Sequence, residues 1–131
     1  MIVVDASILT NLVAYSDGRG GKARAALSHD DTWVAPEHRR VEMMSAVRAL
    51  VLRHVISRAQ GFEAVALIGR KSVDTVPITH LTTRMWAMRP YLSAHHAAYV
   101  ALAEHLESAL VTADSHLAAA AVAYCRVELI V

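Results

Sequence analysis

Two aspartates each follow a short apolar run: MIVVDAS places Asp5 after Ile2 to Val4, and SALVTADSH places Asp114 after a second such run. An aspartate in that position can cap the next helix, because its carboxylate accepts the unpaired N–H groups of the first turn. It can also do chemistry. Carboxylates gathered in one place supply the oxygen ligands that hard divalent cations such as Mg²⁺ or Mn²⁺ take, and such ions hold phosphates and activate water. Glu42 is the third candidate. The helix that begins at residue 37 is apolar nearly all round, yet His38, Glu42, Ser45, Ala49 and Arg53 recur along it and share one polar or small face. That face is either solvated surface or the wall of a cleft, with Glu42 turned toward the two aspartates.

For these side chains to meet, the elements must bring both aspartates to one edge. Ile2 to Val4, TWVAP (32–36), VDTVPI (73–78), SALVTAD (108–114) and VELIV (127–131) read as strands, short apolar runs of the kind buried on both sheet faces. Helices are predicted from Ser7 to Val13, then up to Leu27 after the loop-like SDGRGG (16–21), and from Glu37 to about His54. Others run from Ser57 to about Gly69, Leu81 to Tyr91 with an interruption at Pro90, Ser93 to about Glu107, and Ser115 to Tyr124. Alternating strands and helices predict a central, mostly parallel sheet of about five strands flanked by helices. Ligands bind such sheets beyond the carboxyl ends of the strands, where Asp5 and Asp114 fall.

The 131 residues, 55% of them hydrophobic, suit one domain with one core. Thirteen basic against 12 acidic residues give a net charge of +1, so contact with a polyanion must come from local clustering. Cys125 is the only cysteine, which excludes an intrachain disulfide. The start lacks the basic and long apolar segments of a signal peptide, and no apolar run approaches a membrane span. A soluble, cytoplasmic protein is the expectation.

The order of these segments resembles the PIN-domain ribonucleases, and within them the VapC-like toxins of bacterial toxin–antitoxin pairs. MIVVDASIL is similar to that family's first motif, VEMMSAVR to its second, and LSAHHAAYVALAEHLESALVTAD to its third and fourth, followed by SHLAAA. The resemblance implies a three-layer PIN-like sandwich spanning residues 1–131, a homodimer, and cleavage of RNA, tRNA or another structured RNA, with Mg²⁺ or Mn²⁺. It also implies inhibition by a VapB-like antitoxin whose tail lies over the site. By position it assigns catalytic and metal-holding roles to Asp5, Glu42 and Asp114, and supporting roles to Ser7 and Thr112.

The third acidic position departs from the pattern: His96 stands there, with His95 beside it, and His116 follows Asp114 by two residues. Ser93 as N-cap would put His96 at the third helical position, where a positive charge opposes the helix dipole. The neutral imidazole is thereby favoured, and it is a ligand better suited to Mn²⁺ than to Mg²⁺. His96 therefore joins the candidate catalytic and metal set, and His116 the supporting one. The alternative is a catalytically degenerate PIN-like module that binds RNA or a protein. A receiver domain is excluded by the lone Asp5 and by the absence of an aspartate ending VDTVPI. Trp33, Met85, Trp86 and Met88 read as core or dimer contacts; Arg39, Arg40, Arg48, Arg53, Arg58, Arg84 and Arg89 are scattered, those that fall near the strand ends reading as RNA phosphate anchors and the rest as solvated surface.

Overall fold

Every strand pairing in the computed structural model, which describes residues 1–70 and 72–131, is parallel. The strands β1 (Ile2–Val4), β2 (Trp33–Ala35), β3 (Asp74–Thr75), β4 (Ala109–Thr112) and β5 (Val127–Leu129) lie in the order β3-β2-β1-β4-β5. Among the described residues the helices are α1 (Ala6–Ala14), α2 (Arg19–Leu27), α3 (Arg39–Leu52), α4 (Arg58–Arg70), α5 (Thr82–Ala87), α6 (Ala94–Leu106) and α7 (Ser115–Ala121). The expected α/β sandwich is present, and its sheet is parallel throughout.

Strand order reverses between β1 and β4, so the chain leaves these adjacent strands in opposite directions across the sheet. Right-handed crossovers then place α1 to α4 over one face and α5 to α7 over the other. The packing agrees: α1 lies against α2, α3 and α4, and α5 against α6. A crevice at such a switch point opens beyond the carboxyl ends of β1 and β4. Val3, Val4, Leu110 and Val111 are buried on both sheet faces, which is why their runs show no alternation. Helix α6 is buried from Ala97 to Ala103 because AAYVALA is apolar all round. Since α6 feeds the start of β4, its own N-terminus stands at the crevice.

Several boundaries differ from the sequence reading, each for a local reason. Helix α2 starts inside SDGRGG, because Gly18 turns the chain with φ +50° and Gly20 passes so close to the Tyr15 carbonyl that a Cβ would lie 1.7 Å from its oxygen. Pro36 to His38 form a turn, so α3 begins at Arg39. Edge strand β3 is only two residues long, ending before Pro77, which has no N–H to give a ladder. Helix α5 stops at Ala87, and α7 at Ala121, where the Ala121 carbonyl accepts from Tyr124 and Cys125 as the chain turns back toward β5. Trp86 is 67% exposed and so is no core residue, whereas Met88 is fully buried. Arg39 is buried too. Its guanidinium donates to Thr75 Oγ1 at 2.9 Å and to the Val73 carbonyl at 3.1 Å, tying α3 to β3 instead of facing a phosphate.

Candidate active site at the sheet edge

Asp5 is the N-cap of α1 and is 3% exposed. Its Oδ2 accepts the Ser7 N–H and the hydroxyls of Ser7 and Thr112, the latter at 2.8 Å. The same two hydroxyls accept in turn: Ser7 Oγ from the Ala113 N–H and Thr112 Oγ1 from the Asp114 N–H, both at 3.0 Å. A hydroxyl carries one hydrogen. With both hydrogens committed to Asp5, the 3.1 Å approach of Ser7 Oγ to Thr112 Oγ1 is contact without a proton between them. The two side chains thus lace the end of β1 to the end of β4.

Asp114 is the N-cap of α7, its Oδ1 accepting the N–H groups of His116 and Leu117 at 2.9 and 3.1 Å. Glu42 sits in the first turn of α3, where its negative charge suits the helix dipole. Its Oε1 accepts the Tyr99 hydroxyl at 2.8 Å and faces His38 Nε2 at 3.1 Å. Because His38 Nε2 also lies 3.2 Å from the His95 carbonyl, and both neighbours are acceptors, this nitrogen carries the hydrogen. Tyr99 is wholly buried, and burial together with the Glu42 charge pushes its phenol above the ordinary tyrosine range, so it remains a donor at any working pH.

One pattern runs through all three carboxylates. One oxygen of each is fixed by protein donors, and among the described residues the other takes no hydrogen bond: Oδ1 of Asp5, Oε2 of Glu42 and Oδ2 of Asp114. All three residues line one cavity of about 360 Å³, together with Ser7 and His96. His96 occupies the third position of α6 behind its Ser93 cap, as the sequence predicted, with Nε2 3.5 Å from Asp114 Oδ2. Among the described residues, no three His, Cys, Asp or Glu side chains close around a single point as a cage. Anchored carboxylates with free oxygens around a wide cavity nevertheless fit a hard cation that keeps several of its waters, the habit of Mg²⁺.

The predicted face of α3 does wall the cavity through Glu42, Ala49 and Arg53, but Ala46 takes the place of Ser45, which lies on the far side of the helix in an apolar groove between α3 and α4. His116 contributes its backbone N–H, and its ring is outside the cavity lining. His95 is exposed and contributes its carbonyl. Sequence reasoning missed Tyr99. Its signal was present: it lies three residues after His96 on one helix, so the two share a face.

A wholly parallel sheet with fixed carboxylates at its switch point defines a small α/β domain with an acidic crevice. The PIN-domain family model matches residues 2–123, and the chain belongs to that family. Among its curated relatives, the chain is 36% identical over 130 residues to VapC ribonuclease Mb0985 of Mycobacterium bovis and to ribonuclease VapC9 of Mycobacterium tuberculosis, covering 99% of this chain and 98% of each relative. Ribonuclease VapC12 of Mycobacterium tuberculosis is 36% identical over 118 residues, 90% of both chains. No helix among the described residues is long and apolar enough to cross a membrane.

Proposed function

We propose that this chain is a divalent-metal-dependent endoribonuclease of the toxin–antitoxin kind, with residues 1–131 acting as one PIN domain. The carrying observation is that Asp5, Glu42 and Asp114 line one cavity, each with one oxygen anchored by protein donors and the other, among the described residues, taking no hydrogen bond, with Asp114 Oδ2 facing His96 Nε2 at 3.5 Å. A bound Mg²⁺ or Mn²⁺ supplies activation of water and neutralises charge on the phosphate. Asp5, Glu42, Asp114 and His96 would hold the ion, and none would be the nucleophile. Ser7, Thr112 and Tyr99 fix the carboxylates, and the His116 N–H fixes Asp114. Water attacks phosphorus in line with the leaving 3′ oxygen, so one P–O bond forms as the P–O3′ bond breaks, leaving a 5′ phosphate and a 3′ hydroxyl. The family resemblance implies a structured RNA such as tRNA as substrate, a VapB-like antitoxin, a homodimer and a cytoplasmic setting, and likeness to relatives named VapC ribonucleases supports the RNA-cutting part of this reading.

His96 at the third acidic position, and the absence of a closed cage among the described residues, favour one second reading: a PIN-like module that binds RNA or a protein without cutting it. The test is Asp5→Asn and Asp114→Asn. Asparagine is as good an N-cap as aspartate, so both variants stay folded by circular dichroism, Asp5→Asn melting somewhat lower as its three hydrogen bonds lose their charge, while calorimetric cation binding and RNA cleavage are lost. Either variant cleaving like the parent would overturn the assignment. A parent that binds RNA but leaves it intact with Mg²⁺ and with Mn²⁺ would establish the second reading.

A further inference from the structure

The cavity does not end at the carboxylates. Helices α1 and α3 pack side by side, and both run away from the crevice, since each follows a strand of a parallel sheet. Their facing surfaces line the same cavity, through Asn11 on α1 and its C-cap Tyr15, and Ala46 and Ala49 on α3 and its C-cap Arg53. Eleven residues separate Glu42 from Arg53, about 16 Å at the α-helical rise. Arg19 reaches the same end from the start of α2, with its guanidinium 5.5 Å from the Tyr15 ring centroid and Nη1 3.4 Å from the Tyr15 hydroxyl. The groove is therefore acidic where α1 and α3 begin and cationic where they end.

Three observations mark the cationic end as built. Gly18, with its positive φ, and Gly20, pressed on the Tyr15 carbonyl, are what allow α2 to start close enough to set Arg19 beside Tyr15. Among the described residues neither Arg19 nor Arg53 forms an ion pair, whereas Arg40 is held by Glu37 and Arg84 by Glu104. The wall between the two ends carries Thr10, 6% exposed, whose hydroxyl is the one buried side-chain polar atom without a partner among the described residues.

We propose that Arg19 and Arg53, with Tyr15 orienting Arg19, clamp a phosphodiester of the RNA strand away from the scissile one. This inference rests on the ribonuclease reading and deepens it. Phosphates along a stacked strand are spaced about 3.4 Å in rise, so a groove of about 16 Å takes a scissile phosphate at the carboxylates and one about five phosphates along at the arginines. Without a cation the carboxylates repel the strand, so the arginines supply the attraction that holds it.

The experiment measures binding of a short fluorescein-labelled single-stranded RNA by anisotropy across a salt series with divalent ions withheld, and cleavage separately with Mg²⁺ or Mn²⁺ added. Losing one phosphate contact to single-stranded RNA lowers the slope of log affinity against log salt by about 0.7. Arg19→Ala and Arg53→Ala should each show that change and the double variant about 1.4, with KM raised and kcat kept. Both side chains are exposed, so the variants fold, and melting curves verify it. Arg126→Ala, at the opposite end of the sheet, keeps the parent slope. Variants that bind with the parent's slope and cleave with its KM overturn the clamp and leave the ribonuclease reading standing. A parent that binds RNA and cuts none, with slopes changed as stated, keeps the clamp and removes the ribonuclease reading. A parent that does not bind the RNA overturns both.

Discussion

Replacing Thr112 by valine removes one oxygen and almost no volume, from a side chain that is fully buried. Two interactions go with it: the 2.8 Å donation to Asp5 Oδ2 and the acceptance of the Asp114 N–H at 3.0 Å. A hydrogen bond to a charged group is worth about 1.5–3 kcal/mol, and a buried donor left unpaired costs about 1–3 kcal/mol. Ser7 still serves Asp5 and the Asp114 N–H is only partly buried, so the loss falls near the bottom of the sum, about 2–3 kcal/mol. For a chain of this size that lowers Tm by roughly 8–12 °C. Asp5 and Asp114 also lose their common tether, and removing a group that orients ligands lowers activity about 10–100-fold. Thr112→Ser separates the two effects. It keeps the hydroxyl and deletes one buried methyl, costing about 1 kcal/mol while restoring cleavage. The assays are thermal melting and RNA cleavage at a temperature where all three proteins are folded. Valine and serine variants of equal activity would refute the idea that Thr112 acts through the carboxylates.

His96 is tested by metal titration of cleavage. If the imidazole is a ligand, the parent prefers Mn²⁺, His96→Asp gains Mg²⁺ use, and His96→Ala weakens Mn²⁺ binding, with exposed His95→Ala as control. An alanine variant equal to the parent with Mn²⁺ makes the ring a bystander; activity confined to His96→Asp makes the parent a degenerate nuclease. The Arg84–Glu104 pair, bidentate at 2.6 and 2.8 Å, gives a pH prediction. Its hydrogen bonds hold the Glu104 carboxyl below its ordinary value of 4.5. The folded state therefore binds this proton less readily than the unfolded chain, and the stabilisation is full above that value and lost as pH falls through the lowered one. In urea titrations Glu104→Gln should be less stable than the parent at pH 7, and the gap should close in strong acid. A gap independent of pH would show that the charge plays no part.

Strands, helix types and the positions of Asp5, Glu42 and Asp114 were legible from local signals, unbroken apolar runs and a polar stripe on α3, whereas His96 entered through the family resemblance and the Ser93 cap fixed only its place on α6. What stayed hidden was anything decided across the fold. Tyr99 reads as one more apolar residue of α6 until α3 arrives with Glu42 to accept its hydroxyl. Arg39 reads as a surface cation until β3 closes over it. SDGRGG reads as a mere connection, since no sequence period shows that its glycines press α2 onto Tyr15 and carry Arg19 to the cavity. Single-residue chemistry was readable; the second partner of each contact was not.

Asp5 and Asp114 each start a helix as well as facing the cavity, and that double duty shapes how this sequence can drift. A copy released from selection for cutting would still be penalised for alanine at either position, because a lost N-cap costs about 0.5–2 kcal/mol out of a marginal total. Glu42 caps nothing, and glutamine there would still accept the Tyr99 hydroxyl. Drift at Asp5 and Asp114 is therefore confined to other capping residues such as asparagine or serine, whereas Glu42 is free of that restraint. Among descendants of this gene, capping side chains at the two positions testify to a folded chain, and intact carboxylates at all three to a working one.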